Sequence, residues 1–347
     1  DHPYKVFFPD WDLQKLVAQN IARFINQTGA DQMDFDGHEG TFATGMGDLS
    51  FNTFAEDVFR LTDHPVVFGS SRDNHYFWHF NDYLNWGEPW YGSFRQSQTD
   101  TRIANQKFYE DNYLPNMLGW FLITAQTSPE DVEWMLARAA GYGAGYALVL
   151  RKDALSNPAL QRITKLIGLW TAAQRKKMFD PEQKAWLRDV NNEARLLSTD
   201  GVCYLQRVRK VSFTYDARVL QPGQPTSQSW DLENPVSAQV PVIVVSAQGD
   251  DGHIKSAVFD IDNSFHLPIP VPLYAGQSLV LNDNGFARLY DKKGRLIKQI
   301  TLDQNLPLWN VGRHTLTFDG PTDDNSPVTL KIDVKLADKN EALGRLN

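Results

Sequence analysis

Four short apolar segments alternate with helical patterns along the first half of the chain. They read "ADQMDFDG", "PVVFGSS", "NMLGWFLIT" and "AGYALVL", and lie near residues 31, 66, 117 and 145. Between them, apolar residues recur three and four positions apart, which is the period of an amphipathic helix. Apolar strands separated by helices are typical of a parallel sheet covered on both faces. The pattern therefore predicts an open doubly wound sheet or a (β/α) barrel.

Helix boundaries are predicted from capping residues. The apolar side of the first helix is formed by Leu13, Leu16, Val17, Ile21, Phe24 and Ile25. Gly29 is a natural stop for that helix. Further along, Ser128 with Pro129 predicts a helix start, and Asp131 completes a capping box. Asn157 is the predicted cap of the next helix.

The sequence pattern changes after about residue 200. Segments such as "AQVPVIVVSAQ", "RHTLTFDG" and "VTLKIDVKL" alternate in the manner of antiparallel strands, and "DKKG" predicts a hairpin turn. We therefore expect an α/β plus all-β protein, with a (β/α) barrel portion and catalytic site in 1–198. An antiparallel β-sandwich without catalytic residues is expected in 199–347.

Composition excludes several classes of function. The net charge is −8 and no basic run is present, so nucleic acid is not a predicted partner. The apolar stretches are shorter than the ~20 residues of a membrane helix. Cys203 is the single cysteine, which excludes an internal disulfide and a multi-thiolate metal site. No GxGxxG, GxSxG or HExxH motif occurs, and no cofactor is predicted.

The segment "DFDGHE" places several acids at the end of a predicted buried strand. Alternation along the strand puts Asp34 and Asp36 on the same side. Active sites of α/β folds collect at the carboxyl ends of parallel strands, so these acids are candidate catalytic residues. Asp34, Asp36, His38 and Glu39 include metal-ligating types, but without a known ligand motif no metal is predicted. The structural alternative is that Asp34 caps a helix or pairs with a lysine.

A second candidate region follows the strand "PVVFGSS" and reads "RDNHYFWHFNDYLNWGEPWYG". It combines polar and charged residues with tryptophans: Arg72, Asp73, His75, Asp82, Glu88, Trp78, Trp86 and Trp90. Flat aromatic faces suit the C–H faces of sugar rings, while the acids bind hydroxyl groups. Carboxylates among aromatic residues also allow an acid and a base to have different pKa values. Trp120, in "LGWF", is a further candidate sugar platform, although any of these tryptophans can instead serve packing.

The strand "DQMDFDG", preceded by "RFINQTGA", resembles the fourth barrel strand of TIM-barrel glycoside hydrolases of the broad α-galactosidase-like group. In that group the strand ends in a catalytic Asp, and the matching position here is Asp36. Asp34 stands where those enzymes commonly have Lys. The segment "DVEWMLARAAGYGAGYALVL" is similar to a late barrel helix and strand of polysaccharide-degrading bacterial enzymes, and a β-sandwich commonly follows such barrels.

The resemblance extends over residues 11–180 and implies the back half of a TIM barrel. Four strands are too few to close an eight-stranded barrel. We therefore expect upstream sequence, or another piece of the same protein, to supply the N-terminal half. The segment "DHPYKVFFPD" shows no signal peptide. Either the protein is cytoplasmic, or the numbering begins at a mature or processed end; the expectation is a secreted or periplasmic protein.

The combined prediction is a glycosidase that acts on a polysaccharide or glycan. Asp36 is the expected nucleophile or stabilising carboxylate, and Glu88 is the first choice for the proton donor, followed by Asp82 and Asp73. Asp34 completes the catalytic candidates. The expected substrate-binding residues are Arg72, Asp73, His75, Glu39, Trp78, Trp86, Trp90 and Trp120.

Three alternative functions remain open at this level. A polysaccharide lyase would use His75 or Tyr76 as the base and Arg72 to neutralise a uronate. A non-catalytic protein with a degenerate barrel would bind glycans without cleaving them. A structural barrel-plus-sandwich subunit would use its acids to bind a cation.

Overall fold

The computed structural model describes residues 10–37, 46–71, 74, 76–84, 95, 103–111, 117–216, 225–269, 271–282, 285–292, 294–320 and 328–346. Contacts divide the chain into two compact units. Unit 1 comprises 1–90, 100–121 and 144–147, and unit 2 comprises 91–99, 122–143 and 148–347. The domain boundary between residues 198 and 199 stays a prediction.

The described helices are α1 (Trp11–Thr28), α2 (Asp48–Leu61), α3 (Ile103–Asp111), α4 (Pro129–Tyr142), α5 (Leu160–Arg175) and α6 (Pro181–Arg188). The first strands are β1 (Gln32–Phe35), β2 (Val67–Ser70), β3 (Tyr83–Leu84), β4 (Met117–Ile123) and β5 (Gly145–Leu150). The remaining strands are β6 (Glu193–Thr199), β7 (Val202–Asp216), β8 (Gln228–Asn234), β9 (Val242–Gln248), β10 (His253–Ile254), β11 (Val258–Ile261), β12 (Phe265–Pro268), β13 (Leu273–Tyr274), β14 (Ser278–Leu281), β15 (Phe286–Tyr290), β16 (Leu296–Thr301), β17 (Gly312–Asp319) and β18 (Thr329–Arg345).

Several predicted helix ends are confirmed. Gly29 ends α1 in the left-handed conformation with φ 67°, which a residue without Cβ adopts at low cost. Ser128 Oγ accepts a hydrogen bond from the Asp131 amide at the start of α4, with Pro129 in the first turn. The predicted capping box is wrong in one respect, because the Asp131 carboxylate accepts from Arg95 Nε instead.

The predicted cap of α5 is displaced from the helix start. Asn157 Oδ1 accepts from the Ala159 amide, but the helix begins only at Leu160. Asn157 Nδ2 donates to the carbonyl oxygens of Thr124 and Thr127 at 2.9 Å each. This buried amide therefore holds the loop after β4 as well as the turn before α5.

Unit 1 contains a parallel sheet in the order β1–β2–β3. Two of its described helices, α1 and α2, pack on one face of this sheet, against a core that contains Phe35 and Phe68. The expected burial of both sheet faces is wrong for β1, where Gln32 and Asp34 are exposed and Phe35 is buried. The reason lies in the sequence of β1, which alternates polar and apolar residues.

The apolar side predicted for α1 is also wrong in part. The helix buries Gln14, Ala18, Ala22 and Ile25. In contrast, α1 exposes Trp11, Leu13, Leu16, Val17 and Phe24, with Phe24 62% exposed. Small residues at 18 and 22 let α1 lie close to the sheet and α2, which leaves the larger apolar residues on its outer side.

The described residues form no closed barrel. β4 and β5 pair with each other in a sheet separate from β1–β2–β3. The described part of the chain contains no helix long and apolar enough to cross a membrane.

Unit 2 contains two larger antiparallel sheets. Their strand orders are β16–β15–β14–β9–β18–β7–β6 and β12–β11–β17–β8. Apolar residues from both sheets form one buried core, which includes Ile243, Leu279 and Ile332 from the first sheet and Phe259 and Phe318 from the second. The predicted antiparallel β region is thus confirmed, as is the hairpin at "DKKG", where β15 pairs with β16.

A group of charged residues joins distant segments of unit 2. Arg95 donates through Nη1 to Glu193 Oε1 at 2.7 Å and through Nε to Asp131 Oδ1 at 2.6 Å. Lys335 Nζ lies 2.5 Å from the same Glu193 oxygen. Burial alone would raise the pKa of Glu193, but Arg95 and Lys335 lower it to about 2. While Glu193 is ionised, Arg95 binds α4 through Asp131 and β6 through Glu193, and Lys335 connects β18 to the same Glu193 oxygen.

Glu133 is a buried carboxyl group on α4 in a different environment. Its Oε1 accepts from the Leu196 amide at 2.9 Å and from Trp170 Nε1 at 3.3 Å. Burial raises its pKa from 4.5 to about 7, although both hydrogen bonds oppose that shift. Because the folded pKa is the higher one, the folded protein holds an extra proton between these pH values. The stability that this proton contributes is complete below about pH 4.5 and is lost as pH rises through 7.

We expect Glu133→Gln to remove this pH dependence, since Gln keeps the acceptor oxygen and carries no charge. The pKa shift corresponds to about 3 kcal/mol. Between pH 4.5 and pH 8 the wild type should lose this stability and the variant should not. The difference in unfolding free energy, variant minus wild type, should therefore increase by up to about 3 kcal/mol. Urea denaturation at both pH values measures it. The control is Glu182→Gln, whose side chain is 85% exposed. Parallel pH profiles for wild type and Glu133→Gln would contradict the prediction.

Candidate functional site

The carboxyl ends of three parallel strands meet at one edge of the sheet in unit 1. Phe35 of β1 is the register partner of Ser70 of β2, and Ser70 is the partner of Leu84 of β3. The chain that follows each strand starts from this edge, which we call the carboxyl edge. Asp36 follows β1 directly.

Seven of the predicted site residues lie outside the described residues. They are Glu39, Arg72, Asp73, His75, Trp86, Glu88 and Trp90. In sequence, Glu39 follows β1, the residues from 72 to 75 follow β2, and those from 86 to 90 follow β3. Their roles stay predictions.

Asp36 is exposed at the carboxyl edge, where the backbone turns. Its Oδ1 accepts from the amide of Gly37 at 2.9 Å. Gly37 has φ 76°, a left-handed conformation that favours glycine. The Asp36 carboxylate is therefore oriented by the next amide and remains open to solvent.

Asp34 belongs to a polar cluster on the open face of the sheet. Tyr83 Oη donates to Asp34 Oδ1 at 2.7 Å and accepts from Gln32 Nε2 at 2.6 Å. Asp34 and Tyr83 are both register partners of Gly69, so their side chains meet above that residue. A Cβ at Gly69 would lie 2.0 Å from Asp34 Oδ1 and 2.4 Å from Tyr83 Cζ. The missing side chain at position 69 thus makes room for this hydrogen bond.

Burial and the Asp34 carboxylate together raise the pKa of Tyr83 to about 12. The phenol consequently keeps its proton at neutral pH and donates it in a hydrogen bond to Asp34. Asp34 neither caps a helix nor pairs with a lysine within the described part of the chain. Tyr83 was not among the residues selected from sequence, because only the strand register brings it to Asp34.

The structure separates Asp82 from Asp36. Asp82 bonds to Phe68 twice, donating from its amide to the Phe68 carbonyl at 2.7 Å and accepting from the Phe68 amide through Oδ2 at 2.8 Å. Phe68 is the register partner of Met33, so Asp82 lies about three residues, or roughly 10 Å, before the level of Asp36. It also precedes Tyr83 and thus projects to the face covered by helices. This position disfavours Asp82 as the proton donor, and its catalytic role stays a prediction.

Trp78 and Trp120 occupy different environments. Trp78 lies in the helical turn Phe77–His79, is 54% exposed, and stacks on His79 with ring centroids 4.1 Å apart. It lines a cavity of about 660 Å³ that Asp82 also lines. Trp120 lies on β4 and is partly buried. Neither tryptophan is placed at the carboxyl edge by a described contact.

The described residues contain no group of three or more His, Cys, Asp or Glu side chains arranged to hold a metal ion. His38 and Glu39, which were weighed as ligands, lie outside those residues. Within the described part of the chain, the polar cluster at β1 consists of Asp34, Tyr83 and Gln32. Its chemistry is that of an oriented carboxylate.

No protein-family model matches the sequence, and no curated protein matches it. Among solved structures, an isomalto-dextranase from Arthrobacter globiformis T6 complexed with panose matches with 10% identity and a TM-score of 0.36, over 92% of this chain and 72% of that chain. An exo-β-1,3-galactanase from Phanerochaete chrysosporium matches with 12% identity and a TM-score of 0.19, over 41% of this chain and 26% of that chain. These structural neighbours are glycoside hydrolases, but at such TM-scores the likeness decides neither fold nor activity.

We expect Gly69→Ala to displace Asp34 and Tyr83 from each other. The new Cβ would overlap the Asp34 carboxylate and the Tyr83 ring, and both side chains have room to turn outward. The pKa of Tyr83 should then fall from about 12 toward its ordinary value of 10. NMR of isotope-labelled tyrosine during a pH titration measures this change.

Tyr83→Phe identifies the Tyr83 resonance and serves as the control. The alanine variant should keep the far-ultraviolet circular dichroism of wild type, because position 69 has an extended backbone that any residue adopts. An unchanged Tyr83 pKa in Gly69→Ala would contradict the proposed geometry.

Proposed function

We propose that this chain hydrolyses glycosidic bonds in a polysaccharide or glycan, with its chemistry at the carboxyl edge of the unit 1 sheet. The observation that carries the proposal is the parallel register of β1, β2 and β3. Because their carboxyl ends are aligned, Asp36 and the acid- and tryptophan-rich segments after β2 and β3 all start from the same edge. This is where α/β enzymes place catalytic groups.

The positions of α1 and α2 favour a (β/α) barrel as the complete architecture, in preference to a doubly wound sheet. A doubly wound sheet carries helices on both faces, whereas a (β/α) barrel carries all of them outside. Here α1 and α2 pack on one face, and the opposite face carries Gln32, Asp34 and Tyr83. In a barrel that polar face would line the interior, and its carboxyl end would form part of the active site.

We further propose that other sequence of the same protein completes the barrel. The outer side of α1 exposes four large apolar residues: Leu13, Leu16, Val17 and Phe24. Contiguous apolar surface of this kind marks a contact with another element. A neighbouring barrel helix supplied by the N-terminal half would bury it. A secreted or periplasmic location fits a polysaccharide substrate and belongs to the same proposal.

In the proposed mechanism, Asp36 acts as the nucleophile or as the carboxylate that stabilises a cationic, oxocarbenium-like transition state. An oriented carboxylate lowers this barrier because it needs no reorganisation when the charge develops. The Gly37 amide supplies such orientation at 2.9 Å. Asp34, held by Tyr83, lies on the same face of β1 and contributes a second negative charge beside the sugar.

Glu88 is the proposed proton donor for the leaving oxygen. It lies in sequence four residues after β3, the strand that ends beside β2 at the carboxyl edge. Asp73, in the segment after β2, is the alternative donor. Substrate contacts are proposed for Arg72, His75, Glu39, Trp86, Trp90 and Trp120. A separation of about 5–5.5 Å between the two carboxyl groups would give retention, and about 6.5–9.5 Å would give inversion.

The direct test is the pair Asp36→Asn and Glu88→Gln, assayed on aryl α- and β-glycosides, panose, β-1,3-galactan, and plant, algal and host polysaccharides. Asp36→Asn preserves shape and removes the charge, so turnover should fall by roughly a thousandfold or more. Glu88→Gln should lose activity on polysaccharides but recover part of it on dinitrophenyl glycosides, whose leaving group needs no protonation.

Asp12→Asn is the matched control, since Asp12 is an exposed aspartate in the first turn of α1. It should turn over substrate at the wild-type rate. Near wild-type turnover by Asp36→Asn would refute the mechanism. A product with new ultraviolet absorption would identify an unsaturated uronate, and with it a lyase instead of a hydrolase.

A further inference from the structure

A cavity of about 660 Å³ opens on the helix-covered side of the unit 1 sheet. It lies near the amino end of β2, and its lining includes residues of α2, of the loop before β2 and of the segment before β3. The aromatic part of the lining consists of Phe59, Phe68, Trp78 and Phe80. This cavity, called the Trp78 cleft below, is separate from the carboxyl edge.

Trp78 gives the cleft an open aromatic surface. The indole is 54% exposed although it stacks on His79, with an angle of 27° between the ring planes. His79 is itself held because its Nδ1 lies 2.8 Å from the carbonyl oxygen of Tyr76. The tryptophan is therefore supported from one side and exposed on the other, which suits stacking against a flat ligand.

Two acceptor groups of the cleft have no described donor, one on His79 and one on Asp82. Because the Tyr76 carbonyl can only accept, His79 Nδ1 carries the proton and the neutral ring presents Nε2 as an acceptor. Asp82 uses Oδ2 for the Phe68 amide, and no described donor reaches its Oδ1. Asn81 Oδ1 is buried and has no hydrogen-bond partner within the described part of the chain. Because this oxygen is buried, a ligand in the cleft does not contact it.

The cationic residues of the cleft each have an acidic partner. Arg60 forms an ion pair with Glu56 on the same helix. Both ring nitrogens of His64 face acceptors, namely Asp63 Oδ1 at 2.8 Å and the Ala30 carbonyl at 2.9 Å. An anionic ligand would therefore meet the Asp82 carboxylate, and the nearby cations already have acidic partners in Glu56 and Asp63. A ligand with several hydroxyl donors and an apolar face satisfies the cleft best.

From this combination we infer that the Trp78 cleft binds a ring of a neutral oligosaccharide. The C–H face of the sugar stacks on Trp78, and its hydroxyl groups donate to Asp82 and His79. The site is non-catalytic, because Asp82 lies roughly 10 Å before the level of Asp36 along the strands and on the opposite face. It provides a second point of attachment for a glycan, and binding there does not require hydrolysis at Asp36.

Isothermal titration and saturation-transfer NMR with maltotriose, isomaltotriose, cellotriose and laminaritriose test the inference, with trigalacturonate as the anionic probe. Asp36→Asn protein is used so that no probe is consumed. At least one neutral trisaccharide should bind, and trigalacturonate should bind at least tenfold more weakly. Adding Trp78→Ala should weaken the neutral ligand by about tenfold or more. Asp82→Asn should weaken it as well, while keeping the acceptor for the Phe68 amide.

Trp11→Ala is the matched control, because Trp11 is 40% exposed on α1 and lies outside the cleft. It should leave binding unchanged. Unaltered affinity in Trp78→Ala, equal binding of trigalacturonate, or no binding of any neutral probe would overturn the inference. The glycosidase proposal fails separately, by full turnover in Asp36→Asn, so the two failures are distinguishable.

Discussion

The burial of Phe35 is the constraint on which the candidate site depends. Its ring contacts Phe51, Phe54, Phe68 and Phe77, with centroids between 5.7 and 6.2 Å from its own. Burying one Phe side chain stabilises a fold by about 1.5–3 kcal/mol. Since successive side chains of a strand project to opposite faces, fixing Phe35 on the helix side sends Asp34 to the open side. A shift of β1 by one residue would bury the acids instead.

The two compact units use charge in different ways. In unit 1, Asp34 and Asp36 stay exposed and are oriented by neutral donors, the Tyr83 hydroxyl and the Gly37 amide. In unit 2, Glu193 is largely removed from water and must be balanced by Arg95 and Lys335. A carboxylate with compensated charge is suited to holding segments together. An exposed carboxylate with neutral partners retains its charge for a ligand.

Local signals in the sequence were sufficient for the features that depend on neighbouring residues. Gly29 and Ser128 marked helix ends correctly because caps involve residues three or four positions away. The pairing of Tyr83 with Asp34 spans 49 residues, and that of Arg95 with Glu193 spans 98, so neither follows from local pattern. The backbone contacts of Asp82 also depend on strand pairing. Its neighbours in sequence are aromatic and polar, yet strand register assigns its Oδ2 to the Phe68 backbone.

Cys203 offers a consequence of a different kind. It lies on β7 between β6 and β18, is fully buried, and is the single cysteine of the chain. Burial also raises the pKa of its thiol, which lowers the fraction of reactive thiolate. A thiol reagent can reach it only when the strands beside it separate. The rate at which this one sulfur atom is labelled therefore measures how often the large sheet of unit 2 opens around β7.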